Sequence, residues 1–124
     1  MIKKGKNIGF LFNDKIYHCG VSITDDYIGG KWKAIILWYL KEEPLRYSKL
    51  KKRIPDITEK MFNIQLRKLE ADGLIMREVQ GTKPPLKVQY SLTEFGQTLI
   101  PVLDTIANSG WELGHAKGKL IDLE

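Results

Sequence analysis

Three polar side chains, Lys60, Asn63 and Arg67, follow one another at three- and four-residue steps between Thr58 and Asp72, with the apolar Ile64 set among them. On a helix turning ~100° per residue these four share one side, while Phe62, Leu66 and Leu69 fall within about 60° of one another on the other. The apolar trio is a core-facing stripe. The outward set can form paired hydrogen bonds with flat, polar edges. An asparagine amide suits adenine, a guanidinium suits guanine, a lysine reaches guanine or phosphate, and an isoleucine suits a thymine methyl. The plain alternative is a solvated helix face, against which Ile64 is out of place.

Cations and hydroxyls surround this segment. Arg46, Ser48, Lys49, Lys51 and Lys52 precede it, Thr58 opens it, and Lys83 and Lys87 follow it. Such groups anchor phosphates, setting register and affinity without reading sequence directly. From Lys31 to Leu92 there are 14 Lys and Arg against 7 Asp and Glu, whereas from Thr93 to Glu124 there are 2 against 5. Clustered positive charge in a chain of pI near 9.3 points to a polyanionic partner, although charge alone fits a solvated lysine surface equally well.

Other chemistry is poorly supported. The single cysteine, Cys19, excludes an intramolecular disulfide and a multi-thiolate zinc site. His18 and His115 are too few and too far apart to suggest a metal centre. Gly29-Gly30-Lys31 lacks the length of a phosphate loop. With no nucleophile–base pair and no carboxylate pair, no enzymatic activity and no cofactor are expected. The longest apolar run is far below the ~18 residues of a membrane span, and residues 8–12 are too short for a signal peptide. A reducing cytoplasm is the expected compartment.

The elements that must position these residues can be traced along the 124-residue chain. Residues 1–18 read as an arm, whose two β-prone runs around Asn13-Asp14 suggest either a short hairpin or an extended segment. Ser22 or Thr24 is expected to cap a short helix carrying Asp25 and Asp26 in its first turn and ending at Gly29-Gly30. Trp32 to Glu42 is apolar nearly all round, as in a buried helix. After Pro44 comes a helix from Arg46 to Arg53. Thr58 then caps a longer one to about Asp72, stopped by Gly73. Leu74–Gln80 and Leu86–Leu92 read as strands joined by a Gly/Pro loop. Thr93 opens a last helix, which Pro101 is expected to bend. The fold class is α+β, mostly α: a winged helix-turn-helix with a two-stranded β wing and a long C-terminal dimerisation helix. The expected divisions are 1–18 (arm), 19–117 (winged helix and dimerisation) and 118–124 (tail). In such an arrangement the second helix of the motif enters the major groove.

The segments Cys19-Gly20-Val21, Ile28-Gly29-Gly30-Lys31-Trp32-Lys33 and Arg46-Tyr47-Ser48-Lys49-Leu50 resemble the HxlR-type regulators of bacteria and archaea, relatives of MarR. So do Lys60-Met61, Gln65 to Leu74 and Tyr90 to Gly96, and the resemblance runs from Cys19 to about Trp111. Gly20 stands where the family usually has proline, and Ile64 where a basic residue is common. The resemblance implies a homodimeric transcription regulator, with terminal helices at the dimer interface and, in some relatives, a sensor cysteine at the position of Cys19.

The residues themselves allow the same assembly. Leu99, Val102, Leu103, Ile106, Gly110 and Leu113 recur at helical spacing as a candidate dimer seam. Two copies would read a palindromic operator with half-sites ~34 Å apart. Cys19, ahead of a helix and near Lys15 and His18, is a candidate for oxidation or for attack on a small electrophile, the alternative being a buried apolar residue. The competing function is a winged-helix module that contacts another protein and binds no operator.

Overall fold

The computed structural model describes residues 8–123, so the start of the arm, residues 1–7, lies outside the described residues. The expected hairpin forms from β1 (Phe10–Phe12) and β2 (Lys15–Tyr17), paired antiparallel with Leu11 opposite Ile16. Asn13 and Asp14 both take positive φ, 51° and 61°, the left-handed conformation that these two residue types tolerate best among non-glycines. Tyr17 is buried, and its hydroxyl donates to Asp26 on the next element, α1 (Gly20–Ile28). That helix starts earlier than its capping residues suggested. Cys19 is its N-cap, without a side-chain capping bond, so Ser22 and Thr24 lie inside it and Asp25 and Asp26 fall in its last turn.

Helix α2 (Lys33–Leu40) buries Ile36, Leu37 and Leu40, but not its whole circumference. The expectation of an all-round buried helix is corrected on its other face: Ala34, Ile35, Trp38 and Tyr39 line an open groove with residues of the C-terminal helix. After Pro44, Leu45–Arg46 forms a short strand, β3, that the sequence did not announce. It leads directly into α3 (Tyr47–Arg53).

Helix α4 (Glu59–Ala71) is closed by good caps at both ends. Thr58 Oγ1 accepts from the Met61 amide at 3.1 Å. At the other end Gly73, at φ +76°, donates to Glu70 and the Leu74 amide donates to Leu69. This pair of bonds is the Schellman stop, which requires the left-handed turn that glycine adopts freely. Strands β4 (Ile75–Gln80) and β5 (Lys87–Leu92) pair along their full lengths, and β3 joins on the far side of β5. The wing is therefore the free end of a three-stranded sheet in the order β3-β5-β4.

The last helix differs from expectation. Thr93 does cap a helix, but α5 (Glu94–Gln97) is only one turn, and α6 (Ile100–Lys117) begins anew after Leu99. Pro101 sits in the first turn of α6, where its missing N–H costs nothing, so it opens a helix rather than bending one. Gly96 allows α5 to pack on the sheet, because a Cβ there would sit on the Leu74 carbonyl oxygen. The core beneath these elements joins Ile36, Leu37 and Leu40 to Leu50, Phe62, Leu66, Leu69, Leu74, Ile75 and Leu103. This architecture is an α+β winged helix. No helix among the described residues is long and apolar enough to cross a membrane.

Candidate nucleic-acid interface

The apolar stripe of α4 goes where its periodicity sends it: Phe62, Leu66 and Leu69 are buried. Consequently the opposite side faces outward. Lys60 and Arg67 are exposed, Asn63 and Ile64 half-buried. The Arg67 Nε donates to the Asn63 carbonyl oxygen at 3.3 Å, which lays the guanidinium along the helix. Thr58, Arg46, Ser48 and Lys49 are exposed on the adjoining turn and α3. Lys83 and Lys87 are exposed on the wing, and neither has an ion pair or side-chain hydrogen bond among the described residues. Between residues 46 and 68 there are 8 Lys and Arg against 2 Asp and Glu. An outward helix, its preceding helix and a hairpin thus each expose cations, and such groups suit a phosphate-lined groove.

Three contributors escaped the sequence reading. Between α4 and the wing lies a cleft of about 580 Å³, whose lining includes Tyr47, Glu59, Asn63, Arg67 and Arg77. Tyr47, at the first position of α3, donates its hydroxyl to Asn63 Oδ1 at 2.8 Å and packs its ring 5.1 Å from that of Phe62. Glu59 adds an acidic group to the helix start, where the helix dipole favours it. Arg77 brings a wing-strand cation into the cleft. The alternation of β4 and β5 could have flagged Arg77; nothing local could have shown the bond from Tyr47.

The candidate dimer seam divides. Val102, Ile106 and Leu113 are 36%, 48% and 56% exposed, and Gly110 has open space around it. Leu103 is corrected: at 3% exposed it belongs to the chain's own core, and Leu99, half-buried, packs against the same core as the N-cap of α6. The reason is rotational, since residues 99 and 103 lie on the flank of the stripe that α6 lays against α2. Lys41 fixes this contact, donating to Asp104 at 2.7 Å while lying 3.9 Å from the Trp38 ring centroid. Its ammonium is held above the usual lysine range by that bond.

Cys19 is half-buried, with its Sγ 3.5 Å from Ser22 Oγ. The thiol is lowered from its ordinary value, first by this side-chain contact and then by the Ser22 backbone amide, with burial working against both. Lys15 does not contribute, because it pairs with Asp26 at 3.4 Å.

The pattern of the HxlR-like helix-turn-helix family matches residues 27–117. The B. subtilis regulator YdeP is 50% identical over 101 residues, covering 81% of this chain and 78% of the relative. An HTH-type transcriptional regulator of Methanothermobacter thermautotrophicus is 46% identical over 97 residues, covering 78% and 73%. Among solved structures, the redox regulator HypR in its oxidized form is 41% identical with a TM-score of 0.70, covering 82% of this chain and all of that one. A MarR-family regulator from Porphyromonas gingivalis W83 is 36% identical with a TM-score of 0.72, covering 76% and 91%.

Proposed function

The chain belongs to the HxlR-like helix-turn-helix family, whose members are transcriptional regulators and not enzymes, and on that footing we propose that it binds a palindromic operator as a homodimer in the cytoplasm. The observation that carries this reading is the outward face of α4, with Lys60, Asn63, Ile64 and Arg67 opposite the buried stripe and Asn63 and Arg67 sharing a cleft with Arg77 of the wing, whose Lys83 and Lys87 are exposed. Lys60, Asn63, Ile64 and Arg67 read bases, while Arg46, Ser48, Lys49, Thr58, Lys83 and Lys87 hold phosphates. The test is binding to duplexes selected from a random library. Replacing Asn63 and Arg67 together by alanine should erase sequence preference in a protein that still melts cooperatively, with a modest loss of stability from the broken Tyr47 contact. Binding to another protein through α4, insensitive to salt and without DNA, is the result that would overturn it.

Dimerisation is supported by the exposed face of Val102, Ile106, Gly110 and Leu113. From Asn108 to Lys117 every residue of α6 is exposed, and a helical stretch this short is marginal in water without a partner. Sedimentation should give a dimer at micromolar concentration, and Ile106→Glu should give a monomer. A wild-type monomer at that concentration refutes the assembly.

A second reading concerns Cys19. Its lowered thiol and half-exposed position favour a sensor of oxidants or small electrophiles, and one similar structure is that of a redox regulator. With one cysteine per chain, oxidation would join Cys19 to the partner's copy or to a small thiol, and an electrophile would alkylate it. Oxidant-induced DNA release that persists in Cys19→Ser excludes this reading.

A further inference from the structure

Arg77 breaks the pattern of the wing. Across the β4–β5 ladder Ile75 lies opposite Leu92, Arg77 opposite Tyr90 and Val79 opposite Val88. Opposed residues share a face, and every second residue of a strand returns to it. Ile75, Tyr90 and Leu92 are buried, so this is the face turned toward the core. Five of its six side chains are apolar or aromatic, and the sixth is an arginine. The aliphatic stem of Arg77 suits such a row. Its guanidinium, however, has no ion pair and no side-chain hydrogen bond among the described residues.

Beyond the core this face opens on the cleft that α4 lines with Glu59, Asn63, Arg67 and Glu70. Neither glutamate pairs with Arg77 or Arg67 among the described residues. The two carboxylates stand toward the ends of α4, about 16 Å apart along its axis at 1.5 Å per residue, and Asn63 and Arg67 lie between them. An exposed cation without an internal partner is open to an external anion, and DNA supplies one by geometry. The major groove admits a helix, and a hairpin standing beside that helix lies over the edge of the groove. That edge is a sugar–phosphate strand. We infer that the cleft between α4 and the wing seats one strand of the DNA backbone and that Arg77 holds a phosphate of it from the wing side. The glutamates repel phosphate at both ends of the cleft, which confines the contact to its middle and helps to fix register. This inference rests on the DNA-binding reading of α4 and adds a contact which that reading does not contain.

The experiment compares the full chain with Arg77→Met and Glu70→Gln on a duplex selected by the wild type, using fluorescence anisotropy at several KCl concentrations. Methionine keeps an unbranched apolar stem on the row and removes the charge. One phosphate lost per protomer is two per dimer, so the slope of log K against log salt should become shallower by about 1.8. Over a fourfold change in salt that is a factor of about 12. Glu70→Gln removes one flanking repulsion and should tighten binding. A second readout replaces single phosphates of the duplex by neutral methylphosphonates, one position at a time. At one position in each half-site the wild type should lose affinity, whereas Arg77→Met should lose almost none. A merely structural arginine would weaken binding alike at every position. Arg77→Gln serves both comparisons if Arg77→Met fails to melt cooperatively. The inference is overturned if the variant keeps the wild-type slope or if no single phosphate distinguishes it from the wild type. It is also overturned if Glu70→Gln weakens binding as the loss of Arg77 does, which would make the two an internal pair. In each of these cases wild-type binding remains salt-sensitive and the DNA-binding reading stands. A wild type that retains no duplex at low salt removes that reading, and this inference with it.

Discussion

Replacing Lys83 and Lys87 together by alanine isolates what the wing contributes. Both side chains are exposed and free of ion pairs among the described residues, so their charge is available to a phosphate and their loss breaks no internal contact. Lys87 sits at the last ladder pair, opposite Gln80, where the strands open into the loop. Truncating it leaves the backbone pairing in place. If each lysine neutralises one phosphate, a dimer loses four, and the slope of log K against log salt becomes shallower by about 3.6, taking 0.9 per phosphate. Over a fourfold rise in salt that difference amounts to a factor of about 150. Fluorescence anisotropy of a labelled duplex of arbitrary sequence, titrated at several KCl concentrations, measures it directly, because phosphate contacts are independent of sequence. The melting temperature should not move. An unchanged slope with intact binding would mean that the wing stands clear of the backbone, and the interface would then be confined to α3 and α4.

Three further outcomes follow from the packing. Leu66→Ala empties a fully packed site under α4 and should cost about 2–5 kcal/mol, read as a lower urea midpoint at constant m; a loss below about 1 kcal/mol would show that the site collapses around the smaller residue. Thr58→Ala removes the bond to the Met61 amide and should cost about 1 kcal/mol, with Thr58→Ser restoring most of it, and no difference among the three proteins in urea would refute the capping role. The Asp26 carboxyl is lowered first by its hydrogen bond from Tyr17, with Lys15 adding to it, whereas Tyr17 is pushed up to about 12. Because the folded value of Asp26 lies below its unfolded one, its contribution is present above the ordinary aspartate range and is lost as pH falls through the folded value. Amide exchange of the arm hairpin should accordingly quicken in acid in the wild type, but be independent of pH over that range, once corrected for intrinsic rates, in Asp26→Asn.

How much of this was legible beforehand varies by residue. Phe62, Leu66 and Leu69 announced their face through spacing, and Thr58 and Gly73 marked the ends of α4 through capping chemistry. The wing followed from alternation on either side of a Gly/Pro loop, and the Asn13-Asp14 turn from residue type. These signals act within a few residues of chain, where backbone geometry repeats and a composition can encode it. β3 is two residues long, so it has no period to detect and exists only because β5 offers it a ladder. The break between α5 and α6 was hidden because Phe95, Leu99 and Leu103 keep nearly helical spacing across it.

What the chain determines by itself is therefore the order of helix, turn, helix and hairpin, together with the outward chemistry of Lys60, Asn63 and Arg67. Tertiary packing alone decided that Leu103 turns inward, that one face of α2 stays open, and that a tyrosine 16 residues away donates to the Asn63 oxygen. Contacts of that kind depend on where two elements meet in space. Side-chain direction at such a meeting is set by the partner's surface, which no local pattern records.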